Sequence, residues 1–181
     1  FFNKWFSKRV RQELFYYIKF LEKIEDEKLK NALMIILSRT ARSCRATRHS
    51  DLATLTEPQI GPYYCTKHKK ICTPINSIIK HLIRYTYDTI KRLKEFSTLK
   101  KDVHAEIIHS DSREVNIFDV IKKQNPEFSK ILSSKKIGGV FTSPPYVGQI
   151  DYHEQHAYSY ELLNISRKDD KEIGPLYKGQ G

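Results

Sequence analysis

The chain has 181 residues, 39% of them apolar, enough for one compact domain or one and a half with a sizeable core, which excludes a disordered tail. Lys and Arg number 32 against 21 Asp and Glu, a net charge of +11, so the charge favours a polyanionic partner, nucleic acid first. The longest apolar run, Ala32 to Leu37, spans six residues, far below the ~20 that cross a bilayer, and no charged-then-apolar leader precedes it; a soluble cytoplasmic protein with no membrane partner is expected.

The charge is unevenly placed. Residues 1–101 carry 22 basic and 9 acidic side chains, a surplus of 13, whereas residues 102–181 carry 10 and 12. The chain opens on Phe1-Phe2-Asn3-Lys4-Trp5 without an initiator Met and closes on Lys178-Gly179-Gln180-Gly181, so it reads as a piece of something longer.

Apolar residues at Phe2, Phe6, Val10, Leu14, Ile18 and Leu21 fall four and three apart, which predicts one long amphipathic helix from Phe2 to Ile24. Asp26-Glu27 places negative charge at the start of a second helix through Leu29, Leu33, Ile36 and Leu37. Its tail repeats Arg39, Arg42, Arg45 and Arg48 every three residues, a basic helical flank suited to phosphates. The plain alternative is a solvated helix face; the local charge surplus, together with the motif near residue 143 described below, tilts the reading toward DNA.

Residues 49–75 mix Pro58, Gly61, Pro62 and Pro74 without a sustained period and read as a long irregular loop. Inside it, Cys65-Thr66-Lys67-His68-Lys69-Lys70-Ile71-Cys72 spaces two thiols and an imidazole closely enough to wrap one ion, and Cys44 or His49 would complete four ligands. Three cysteines, an odd number, suit thiols or a structural zinc better than a disulfide framework. Free thiols beside a surface His remain an equal alternative.

Pro74 opens a third helix, apolar at Ile75, Ile78, Ile79, Leu82, Ile83, Tyr85, Ile90 and Leu93. At residue 102 the pattern changes. Val103 to Ile108 reads as a strand ending in the polar loop His109-Ser110-Asp111-Ser112-Arg113, helices follow around Ile117–Lys123 and Glu127–Leu132, and Ile137 to Thr142 reads as a buried strand. That order predicts a parallel β/α crossover. Its second strand runs into Ser143-Pro144-Pro145-Tyr146, with a further helix over Tyr152 to Leu163. The fold class is therefore α/β, with a mainly helical basic segment, 1–101, ahead of part of a parallel sheet, 102–181.

Sites in open parallel sheets lie at the carboxyl ends of strands, where Asp111 and the Ser143 turn both fall. Two prolines fix φ twice and remove two donors, leaving a stiff acceptor platform beside an aromatic ring. A planar base with an exocyclic amino group fits it: the amino protons reach the Ser143 oxygen and the Pro144 carbonyl, and Tyr146 stacks on the ring. The segment Phe141 to Tyr152, continued by His153 to Leu163, resembles the catalytic motif and following helix of the DNA amino-methyltransferases. Its Ser-Pro-Pro-Tyr form is similar to that of the cytosine-N4 enzymes more than to that of the adenine-N6 enzymes. Tight similarity covers roughly the last 75 residues by the strand and motif pattern. The helical part is also similar to an insertion that some of these enzymes carry between cofactor loop and catalytic strand.

The resemblance implies a Rossmann-like methyltransferase sheet, S-adenosylmethionine as cofactor with Asp111 near its adenine, and DNA as substrate, its target base held by Ser143, Pro144, Pro145 and Tyr146. One family element is missing. The Gly-rich loop for the methionine part of the cofactor occurs nowhere among the seven glycines, so it is expected upstream in a longer chain, the favoured reading, or on a second polypeptide, or else the fragment is inactive. The alternatives are amino-methylation of RNA and a noncatalytic nucleic-acid-binding module.

Overall fold

The long amphipathic pattern at the start of the chain is divided by a serine. The structure, a computed structural model, describes residues 1–49, 57–135, 137–143 and 152–168. Phe2–Trp5 forms α1 and Lys8–Leu21 forms α2. Ser7 stands between them, its hydroxyl accepting from the Val10 N–H at 3.3 Å; an N-cap that satisfies an orphan donor starts a new helix where periodicity alone reads straight on.

α3 is Glu27–Ser43, capped by Asp26, whose carboxylate accepts from the N–H groups of Lys28 and Leu29 at 2.9 and 3.0 Å. The helix ends at Ser43, so Arg45 and Arg48 lie beyond it and the four arginines share no single helical flank. In the segment expected to be irregular, Tyr63–Cys65 (β1) pairs antiparallel with Lys70–Cys72 (β2). α4 follows as Ile79–Leu99.

The core brings α1, α2 and α3 together with a late segment. Tyr152–Gln155 is α7 and Ala157–Leu162 is α8, the expected single helix being interrupted at His156. Tyr158 and Leu162 are buried in one cluster with Phe2, Trp5, Val10, Leu14, Leu37 and Ile78. Val10, Leu14 and Leu37 are fully enclosed, and Phe2 stacks on Phe6 at 4.6 Å. The chain accordingly divides into one unit of Phe1–Thr98 with Asp151–Asp169, and a second of Leu99–Ile150 with Asp170–Gly181. The first takes back residues that the sequence grouped with the second, because α8 carries apolar side chains that this core encloses.

In the second unit, Ile117–Gln124 (α5) and Pro126–Ser134 (α6) meet at Asn125. Its side chain accepts from the Phe128 N–H at 3.0 Å and donates to Glu106 at 2.7 Å, while Pro126 supplies a fixed φ where no N–H is needed. His104 stacks on Phe128 with rings 5.5 Å apart.

The expected strands Val103–Ile108 and Ile137–Thr142 are not strands in the described residues, where the only sheet is the β1–β2 hairpin. The observed architecture is mostly helical with one small two-stranded sheet, consistent with part of an α/β protein, and no Rossmann sheet is seen among the described residues. A parallel strand draws every ladder hydrogen bond from neighbours distant in sequence, and here Ile107, Val140 and Phe141 stand 93%, 86% and 103% exposed. No helix among the described residues is long and apolar enough to cross a membrane.

Candidate functional site

Three groups of residues are candidates for chemistry, and local structure builds the two that the structure describes. The first is the turn after the second expected strand. Ser143 is exposed, and Pro144, Pro145 and Tyr146 lie outside the described residues.

The second is the loop at Asp111. Its backbone carbonyl accepts from the N–H groups of Glu114 and Val115 at 3.2 and 3.0 Å, closing a turn. Its carboxylate accepts from Arg113 three times: from the backbone N–H at 3.0 Å, from Nε at 3.0 Å and from a terminal guanidinium nitrogen at 2.6 Å. Such a two-pronged charged pair fixes the carboxylate's orientation.

The third is the β1–β2 hairpin. Antiparallel pairing sets Tyr63 opposite Cys72 and Cys65 opposite Lys70, and alternation puts Tyr63, Cys65 and Cys72 on one face. The ligand atoms of His49, Cys65, His68 and Cys72 all lie within 4.8 Å of one another. Cys65 Sγ is 3.5 Å from His49 Nδ1 and Cys72 Sγ is 3.5 Å from His68 Nδ1. Tyr63 ties His49 to β1, its hydroxyl accepting from the His49 backbone N–H at 3.0 Å. Burial, helped by His68 and Lys67, holds the His49 imidazole below its usual pKa, which favours the neutral ring.

Cys44, named with Cys65, His68 and Cys72 as the fourth ligand, is not a member of this group. It is 1% exposed inside the apolar cluster, where burial, reinforced by Glu13, pushes its thiol up to about 12. His49, the other candidate from the end of α3, is the residue brought to the hairpin. Tyr63 escaped attention in the sequence, although its place two residues before Cys65 puts it on the same strand face.

The four arginines divide. Arg39 donates to Asp88 at 2.5 Å and Thr89 at 3.2 Å, and its guanidinium lies 4.5 Å from the centre of the Tyr85 ring. Arg45 is 3% exposed, donating to the Arg42 carbonyl at 3.0 Å and lying over Tyr158. Arg42 and Arg48 are exposed, Arg48 donating to Gln59 at 3.0 Å. Lys67 and Lys69 on the hairpin turn and Lys70 at the start of β2 are exposed.

Over nearly its whole length the chain is related to a methyltransferase, as the segment around Ser143 implied. The relative is the type II methyltransferase M.MjaII of Methanocaldococcus jannaschii, 56% identical over 179 residues, which are 99% of this chain and 34% of that protein. The chain thus spans about a third of the methyltransferase it matches. No family model and no solved structure matches it.

Proposed function

We propose that this chain is part of an S-adenosylmethionine-dependent DNA methyltransferase acting on an exocyclic amino group of a flipped base, cytosine N4 in preference to adenine N6. The observation that carries the proposal is a Ser-Pro-Pro-Tyr sequence motif in a chain 56% identical to a type II methyltransferase.

The reasoning for the turn is chemical. An aromatic amino nitrogen is a poor nucleophile because its lone pair is delocalised into the ring. Fixed acceptors at Ser143 and Pro144 that draw on its two N–H groups favour a more tetrahedral nitrogen with a localised lone pair, and preorganised acceptors act without reorganisation at the moment of reaction. Extruding the base costs a few kcal/mol, and stacking on Tyr146 offsets part of it. No cysteine nucleophile enters this chemistry.

The residues of this chain do not by themselves fit the methyl donor. No Gly-rich loop is present, and Asp111, its carboxylate oriented by Arg113, accounts for the adenine side of the donor alone. The donor site is therefore completed by residues outside this chain, in line with a match to about a third of M.MjaII. The same reading accounts for Ile107, Val140 and Phe141: their segments are strands of a Rossmann-like sheet whose neighbours and covering helices lie outside the chain. Phosphate contacts are assigned to Arg42, Arg48 and the hairpin lysines, with Arg39 and Arg45 supporting them from within the fold.

The test is transfer of labelled methyl to duplex DNA by a protein that joins this chain to a Gly-rich cofactor loop, in one chain or in trans. Label is expected on an amino nitrogen. Its appearance on carbon 5, or only on RNA, would replace the proposal.

A further inference from the structure

The hairpin poses a problem that its own packing does not solve. Its two strands have three residues each, and an isolated two-stranded hairpin is marginal at best in water. Its outward face presents Tyr64 and Ile71, 61% and 64% exposed, so among the described residues no apolar layer covers that side. On the inner face the enclosed side chains are Cys65 and Cys72, 2% and 8% exposed, both free thiols. The turn also places Lys69 at φ 52°, a left-handed conformation that L side chains rarely adopt. A pair of short strands with a strained turn and no apolar partner layer needs another tie.

The inner face supplies the groups for one. A tetrahedral zinc with Zn–S near 2.3 Å and Zn–N near 2.0–2.1 Å requires each sulfur and nitrogen to stand about 3.5 Å apart. Both recorded S···N separations, Cys65 to His49 and Cys72 to His68, are 3.5 Å. Two thiols and two imidazoles are the donor set that selects a soft, borderline cation over calcium or magnesium, and as thiolates they neutralise its charge.

We propose that His49, Cys65, His68 and Cys72 bind one structural zinc ion, which fastens the segment after α3 to the β1–β2 hairpin. Four protein ligands leave no open position, so the ion takes no part in chemistry. Tyr63 is a positioning residue: its hydroxyl accepts from the His49 backbone N–H and lies 2.9 Å from His49 Nδ1, a contact that the ion replaces when it takes that nitrogen. The site stands on this geometry alone and is independent of the methyltransferase reading. Its consequence for that reading is placement: Arg48 and Lys67 each adjoin a ligand in sequence, so the ion fixes where two exposed cations stand.

The experiment uses the full 181-residue chain purified without chelator. Elemental analysis should find about one equivalent of zinc, and after its removal cobalt(II) added alone should restore one equivalent with a thiolate-to-metal charge-transfer band and the visible spectrum of a tetrahedral site. His49→Ala should weaken metal affinity at least 10-fold, whereas Cys44→Ala should retain it. Because a ligand variant can fail to fold, the cobalt titration of the unaltered chain stands as a separate readout. Failure to bind either metal, or loss of metal in Cys44→Ala with retention in His49→Ala, would each overturn the proposal.

Discussion

Glu13 shows how one carboxylate organises a helix it does not belong to. From α2 it accepts from the Ile78 N–H at 2.7 Å and from the Ser77 hydroxyl at 2.9 Å, where α4 begins, and from Arg9 at 2.9 Å. Burial alone would raise its pKa, but the hydrogen bonds from Ile78, Arg9 and Ser77 outweigh it and hold the carboxyl below its usual 4.5. A depressed pKa means that ionised Glu13 stabilises the fold above the unfolded-state value and that this contribution fades as pH falls through the folded value. Glu13→Gln should therefore destabilise the chain by about 1.5–3 kcal/mol at pH 7, the range for hydrogen bonds to charged groups, and the gap from the unaltered chain should narrow as pH falls below 4.5; urea unfolding across that range reads it. At the same scale the arginines separate by role. Arg39→Ala removes the ties to Asp88 and Tyr85 and should lower stability by about 1–2 kcal/mol, while Arg42→Ala, on an exposed side chain, should change stability by less than about 0.5 kcal/mol and weaken DNA binding. The three-residue spacing revealed that the arginines were numerous and regular; it carried no information on which met an acidic or aromatic partner, because Asp88 and Tyr158 arrive from distant positions.

At the scale of elements, the helices whose ends are marked by local chemistry were legible. Asp26 before α3 and Asn125-Pro126 before α6 are capping signals that act within a turn of their own residue. Ser7 is an equally local signal that the unbroken apolar spacing from Phe2 to Leu21 masked. The Cys65-x-x-His68-x-x-x-Cys72 spacing was legible for the same reason, since a hairpin brings those positions together by itself. Choosing between Cys44 and His49 was not, because the choice depends on which side of the α3 end faces the core. The expected strands depend on ladders with distant partners, and no local cue supplies those. α8 gives a direct test of its place in the first unit. Tyr158 and Leu162 are buried with Trp5 and Leu37, so Leu162→Ala should cost about 2–5 kcal/mol, as cavity-forming core changes do. Leu93→Ala on the exposed face of α4, 53% exposed, should cost well under 1 kcal/mol. Denaturant midpoints for the two variants check the contrast.

For the whole molecule, a surplus of 13 positive charges in residues 1–101 predicts DNA binding dominated by phosphates. Affinity should fall steeply between low and moderate salt, and each of Arg42→Ala and Arg48→Ala should reduce the slope by about one counterion. An affinity indifferent to salt would remove the electrostatic account. The proposed methyltransferase reading joins the Ser143 motif of this chain to a cofactor loop expected outside it, so the isolated chain should transfer no methyl group. The most direct measurement is labelled-methyl transfer to duplex DNA by the protein completed with its Gly-rich loop, with and without Tyr146→Ala. The completed protein is expected to label an amino nitrogen, and Tyr146→Ala to slow transfer by about 5- to 150-fold, the loss of a stacking contact of roughly 1–3 kcal/mol. Unchanged transfer by Tyr146→Ala, or robust transfer by the 181-residue chain alone, would contradict the account.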